Sequence, residues 1–122
     1  MSVLKFINEQ MSVLDIPYEF GEWTSDVIYP YYVGEIEEDE PITEDGLETY
    51  SLILTGFNRG KRIELEKYKE KIKKHFPNDG LRVAVDSGTI AAFFGGAFFI
   101  PSGEADLQKI QITINIKYWK GA

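Results

Sequence analysis

Four stretches of this chain hold residues that could do chemistry. Residues 35–48 contain Glu35, Glu37, Glu38, Asp39, Glu40, Glu44, Asp45 and Glu48 and no base. Carboxylates in that number are raw material for a calcium site or for paired acid–base work. Calcium needs oxygens at regular spacing and a glycine at the sharp bend, and the twelve-residue EF-hand pattern is absent. Acid–base work needs a pocket that shifts one carboxyl's pKa, whereas a run this charged is expected to be solvated. Two roles stay open for this acidic loop: contact with a neighbouring copy, or the lining of a pore, where acids repel passing phosphates.

Residues 59–74 hold Arg59, Lys61, Arg62, Lys67, Lys69, Lys71, Lys73 and Lys74, eight of the thirteen bases. Such a cluster could contact phosphates. Against that stand the net charge of −7, the interspersed Glu64, Glu66 and Glu70, and the lack of an aromatic platform. A solvated helix face, or a surface that meets the acidic segment of another copy, fits better, because complementary charge sets register and orientation. Residues 90–100 place Phe93, Phe94, Phe98 and Phe99 on a strand or hairpin whose neighbours alternate between faces. One side can be core. The other is either covered within the chain or forms a subunit interface. His75, at the end of a helical stretch, complements the helix dipole.

The inventory excludes much chemistry. There is no cysteine and one histidine, so thiolate sites, a His-pair metal site and a Ser-His-Asp triad with a helper histidine are not expected within one chain. Nothing resembles a nucleophile elbow, a P-loop or a dinucleotide fingerprint. No catalytic residue, metal ligand or cofactor is therefore assigned, and the chain reads as non-enzymatic. Asn8, Glu9 and Gln10 interrupt the N-terminal apolar stretch, so no secretion signal is expected. The longest apolar run, 90–100, is half of the ~20 residues that cross a bilayer, and a soluble protein without membrane partners is expected.

Elements must position these stretches. The pattern at 107–119 sets Ile110, Ile112, Ile114, Ile116 and Tyr118 on one face and Gln111, Thr113, Asn115, Lys117 and Trp119 on the other, a strand with one dry and one wetter side. Leu4, Ile7, Met11 and Leu14 predict a helix over 3–14, ended by Ile16-Pro17. A strand is expected at 27–36, with Pro30 marking an edge or a bulge, and another at 48–57, paired with it as an antiparallel hairpin across the acidic loop. Leu65, Tyr68, Ile72 and Phe76 predict a helix over 61–76. Strands at 81–85 and 89–100 follow, joined by Asp86-Ser87-Gly88, with Gly95-Gly96 either a second turn or a bulge. At 122 residues the chain is one domain. The fold expected is α+β: an antiparallel sheet with two helices packed on one face, in the order α-β-β-α-β-β with room for one more strand.

Trp23-Thr24, then Tyr29-Pro30-Tyr31-Tyr32-Val33-Gly34-Glu35 with its acidic continuation, resembles small tail-completion proteins of siphophages and prophages. The order of elements is similar to that of tail terminator, or tail-to-head joining, proteins. The resemblance implies a non-enzymatic structural subunit of the virion, held in the bacterial cytoplasm before assembly. It implies a homo-oligomeric ring, typically hexameric, that contacts other tail or head-connector proteins and lets DNA pass with at most transient, non-specific contact. In that setting Phe93, Phe94, Phe98, Phe99, Arg59, Lys61 and Arg62 are candidate subunit-interface residues. The alternative kept open is a small adaptor or inhibitor that offers the strand at 29–33 as an exposed edge to a protein partner.

Overall fold

In the computed structural model, which describes residues 2–24, 26–38 and 47–121, the alternating C-terminal strand is the spine of the molecule. This strand, β6 (Leu107–Lys120), pairs antiparallel along its whole length with β3 (Leu47–Arg59), from Leu47 opposite Trp119 to Arg59 opposite Leu107. On its other side it pairs antiparallel with β5 (Gly88–Ile100). Beyond β3 lies β2 (Tyr31–Glu38), and beyond that β1 (Tyr18–Phe20). Beyond β5 lies β4 (Leu81–Val85). The spatial order is β1-β2-β3-β6-β5-β4. Two helices, α1 (Ser2–Leu14) and α2 (Ile63–His75), complete the described elements.

The expected antiparallel sheet with two helices on one face, in the order α-β-β-α-β-β, is overturned. The sheet is curled and mixed, the order is α-β-β-β-α-β-β-β, and strand makes up about half of the described residues. The unforeseen element is β1, which runs parallel to β2 with Tyr18 opposite Tyr32, Glu19 opposite Val33 and Phe20 opposite Gly34. A tight turn can return a strand only antiparallel, and residues 21–30 are the crossover that permits the parallel pairing. The second strand also starts later than expected, after Pro30 rather than at 27. Proline cannot donate to a ladder, and the first anchoring bond is from the Tyr32 N–H to the Pro17 carbonyl (2.8 Å). Nor is β2 an edge, because β1 sits beside it.

The dry row behaves as its spacing predicts. Ile110, Ile112, Ile114 and Ile116 are buried together with Leu52, Leu54, Ile90 and Ala92 from the flanking strands and with the apolar faces of both helices, in a single cluster. Each fully buried isoleucine contributes on the order of 1.5–3 kcal/mol. Helix α1 presents Val3, Phe6, Ile7, Met11 and Leu14, so its stripe is rotated slightly from the expected one and Leu4 is only partly buried. It stops where Asp15 takes a left-handed conformation (φ 55°), a cap position that short polar residues tolerate. Helix α2 buries Leu65 and Ile72, with Glu64 and Glu66 in its first turn and Lys73, Lys74 and His75 in its last, the arrangement its dipole favours.

Gly95-Gly96 is a bulge rather than a turn: the β5–β6 register shifts between Phe94 and Gly96. The extra residue changes which side chains face the core. Beyond it, Ala97 stands opposite Ile112 and Phe99 opposite Ile110, on the dry row, while Phe98 stands opposite Gln111. The Phe94 N–H at the bulge donates to the Phe76 carbonyl at the end of α2 (3.1 Å), tying the second helix to the sheet.

Candidate functional site

Alternation along β6 makes two surfaces of opposite character. The even positions carry the core. The odd positions Lys109, Gln111, Thr113, Asn115 and Lys117 face away from it, beside Ser51, Ile53, Thr55 and Phe57 of β3 and Phe93 and Phe98 of β5. Among the described residues no helix or strand covers this second face. Most of its side chains are half-buried by their cross-strand neighbours, while Asn115 and Lys117 are exposed and Phe98 is 56% exposed.

One corner of the face is an aromatic platform. Tyr31 stacks on Phe57 across the β2–β3 pair (centroids 5.0 Å, planes 21° apart), and Trp23 and Tyr29 from the crossover lean on Tyr31 at 4.7 and 5.6 Å. Such pairs add about 0.5–1.5 kcal/mol beyond their buried area. The crossover is held in place by the Glu19 carboxylate, which accepts from the Thr24 amide (3.1 Å) and hydroxyl (2.7 Å). Next to the platform the crossover also exposes Val27 and Ile28, the latter 68% accessible.

The face is also sorted by charge. Glu35 and Glu37 stand on β2, opposite Ile53 and Ser51. Two or more strands away stand Lys109 and Lys117 on β6 and Arg82 on β4. Each cation rests on an aromatic ring: Lys109 on Phe57 (5.6 Å), Lys117 on Phe93 (5.6 Å) and Arg82 on Trp119 (5.8 Å). Among the described residues none of these three has a carboxylate within ion-pairing distance, in contrast to Arg59, Lys69 and Lys120.

The residues singled out from sequence are dispersed by the fold. Phe93 and Phe98 lie on the open face. Phe94 and Phe99 lie on the other, packed against the core, with Lys73 and Arg62 of the α2 region over their rings at 5.7 and 4.6 Å. Arg59 is engaged within the chain, donating to Glu104 (2.8 Å) and Asp106 (2.9 Å), which holds its pKa well above the usual arginine value. Arg62 donates to the Gln108 side chain (3.1 Å), and Lys61 is exposed. Glu37 and Glu38 close β2 as exposed residues, while Asp39, Glu40, Glu44 and Asp45 lie outside the described residues. The cations on the open face come from outside the lysine-rich helix: Lys109 and Lys117 from the wetter side of the β6 pattern, and Arg82 from β4.

Elsewhere the chemistry is sparse. A cleft of about 710 Å³ between α1 and β1 is lined by Asp15, Glu19 and Glu22 with Met11, Ile16 and Phe20 and is wide open to solvent. Among the described residues no three acidic or histidine side chains converge to hold a metal ion, and no described helix is long and apolar enough to cross a membrane. The Tyr18 and Tyr32 hydroxyls are buried without a partner among the described residues, and burial raises both pKa values, that of Tyr18 to about 12. Their rings occupy the space that a Cβ would take at Gly34 and Gly56, so glycine there permits close packing. No protein-family model matches the chain, and no curated protein is significantly similar to it.

Proposed function

We propose that this chain is a non-enzymatic building block that assembles with copies of itself, and that its setting is the tail of a phage or prophage, as a ring-forming terminator or head–tail joining subunit. The observation that carries the assembly role is the open sheet face. A chain of this size does not leave Phe93, Phe98, Tyr31, Phe57 and Ile53 on one uncovered surface without a use for it, since contiguous apolar patches on soluble proteins mark interaction sites. The aromatic side chains there, flanked by arginine and lysine, have the composition of an interface core with a charged rim. The tail setting rests on the resemblance of the Trp23–Glu35 stretch and on the small, motif-free character of the chain. Within it, the acidic segment after Glu35 repels phosphate and lets DNA pass without adhering.

Light scattering and negative-stain microscopy of the purified chain test this. Closed rings of uniform size are expected. A strict monomer at high micromolar concentration, or open aggregates only, would remove the ring role. The adaptor alternative has less support, because the strand it would offer at 29–33 is already paired by β1 at Tyr32, Val33 and Gly34.

A further inference from the structure

We infer that the open face docks a second copy of this chain, with the acidic strip of one copy, Glu35 and Glu37, lying on the basic side of the other, Lys117 with Arg82 beyond it in the same row. The inference rests on the self-assembly proposed above, though not on ring closure.

Three observations carry it. The two strips are on one face but on separate strands: β2 holds the carboxylates, and β6 and β4 hold the cations, with β3 between β2 and β6. Two strand spacings put β2 and Lys117's strand about 10 Å apart, and Arg82 lies two strands further on, too far to pair within a molecule and about one Debye length or more at moderate salt. Next, the cations are set in place and no carboxylate among the described residues neutralises them. Phe93 and Trp119 support Lys117 and Arg82 from below, leaving the charge outward and partly desolvated by the ring, where a pairing carboxylate is worth more than at a bare surface. Lastly, the band between the strips is uncharged: Ile53, Thr55, Thr113 and Gln111, with Phe98 beyond. Closing the two strips would bury that band as the centre of the contact.

The arrangement also selects the occupant. A nucleic acid or an acidic peptide drawn to Lys117 would meet Glu35 and Glu37 on the same surface, in a chain of net charge −7. A second copy avoids that repulsion. A half-turn about an axis along β3 sets β2 of one copy over β6 of the other and places acid on base twice. A half-turn about an axis across the strands would set acid on acid.

The test is a charge-swap cycle on the full chain, read by native mass and sedimentation. The wild-type chain is expected to assemble. The double variants Arg82→Glu/Lys117→Glu and Glu35→Lys/Glu37→Lys are each expected to fall to monomers, with circular dichroism unchanged. An equimolar mixture of the two should reassemble, because each restores the sign its partner lacks. Lys117→Gln, which asks less of the fold, should weaken association about tenfold, and raising the salt should weaken the wild type likewise. Assembly indifferent to both reversals, a Lys117→Gln variant that associates as the wild type does, or a monomeric wild type would each overturn the pairing. Rings that survive both reversals would leave the ring role standing and remove the pairing. Closed dimers that obey the swap would do the opposite.

Discussion

The two sides of β6 differ by one residue in register and by almost everything else. Ile110, Ile112 and Ile114 have no accessible surface. Gln111 and Thr113 between them are half-buried, and Lys117 is exposed and cationic. One side is fixed by packing within the common core cluster, the other only by neighbouring strands. The lesson is that stability and recognition are separated by the pleat itself. Substitutions should therefore sort by parity rather than by position along the chain, and the largest effect tests that directly. Ile114→Ala should cost about 2–5 kcal/mol in urea unfolding, whereas Thr113→Ala, one residue away, should stay within about 0.5 kcal/mol. Similar losses at both would mean that the open face is structural.

The covered face also depends on two places where backbone replaces side chain. Tyr32 fills the space beside Gly56, and a Cβ there would collide with its ring and crowd Ile110. Because Tyr32 is fully buried, it has nowhere to swing. Gly56→Ala is expected to lose about 1–3 kcal/mol, the usual range for an overpacked core, seen as a lower melting temperature. Gly103→Ala is a poor control because its φ is positive (83°), so Ser51→Ala on the open side is the fair comparison and should melt with the wild type.

How much of this was legible before the fold was known depends on whether the deciding pattern was local. The β6 alternation and the helix stripes are local, so the spine and the dry row could be read directly. Strand β1 is three residues long, too short to show a period, and its parallel pairing follows from the path of 21–30 rather than from its own residues. Val27 and Ile28 look like strand but precede Pro30 and end up exposed, so their pattern places the start of the second strand too early and hides the parallel partner beside it. Among the phenylalanines, alternation showed that both faces would be used. Only the bulge at Gly95-Gly96 decides that Phe98 is outside and Phe99 inside. Charge was harder still. Arg59 stands out in the basic run, but its partners Glu104 and Asp106 are contributed by a distant loop, and the cations without an ion-pair partner among the described residues lie on other elements.

That outcome at the bulge gives a sharper version of the face comparison. Phe98→Glu should leave the urea midpoint nearly unchanged and reduce association, because the side chain is already largely in water. Phe99→Glu should do the reverse, placing a carboxylate against Ile110 and the core and lowering stability by about 1–3 kcal/mol. Equal behaviour of the two variants in either assay would mean that the bulge does not set parity as described.

The smallest expected effect concerns the one histidine. The His75 ring packs edge-on against Phe76 at 4.9 Å, and its Nε2 is 2.7 Å from the Gln10 side-chain oxygen, linking the end of α2 to α1. Burial lowers its pKa below the ordinary histidine value of 6.5, because the charged form is poorly solvated there. The folded state therefore takes up its proton at lower pH than the unfolded state does. Stability attributable to His75 is fully present above pH 6.5 and is lost as the pH falls toward the folded-state pKa. The favourable charge–dipole contact at the helix C-terminus works against this shift and is outweighed by desolvation. Melting curves between pH 7.5 and 5.5 should show a decline that His75→Gln reduces, after subtraction of the carboxylate contribution common to both. A wild-type chain that gains stability relative to His75→Gln as the pH drops would mean that the dipole wins and that this end of α2 is wetter than its packing against Phe76 implies.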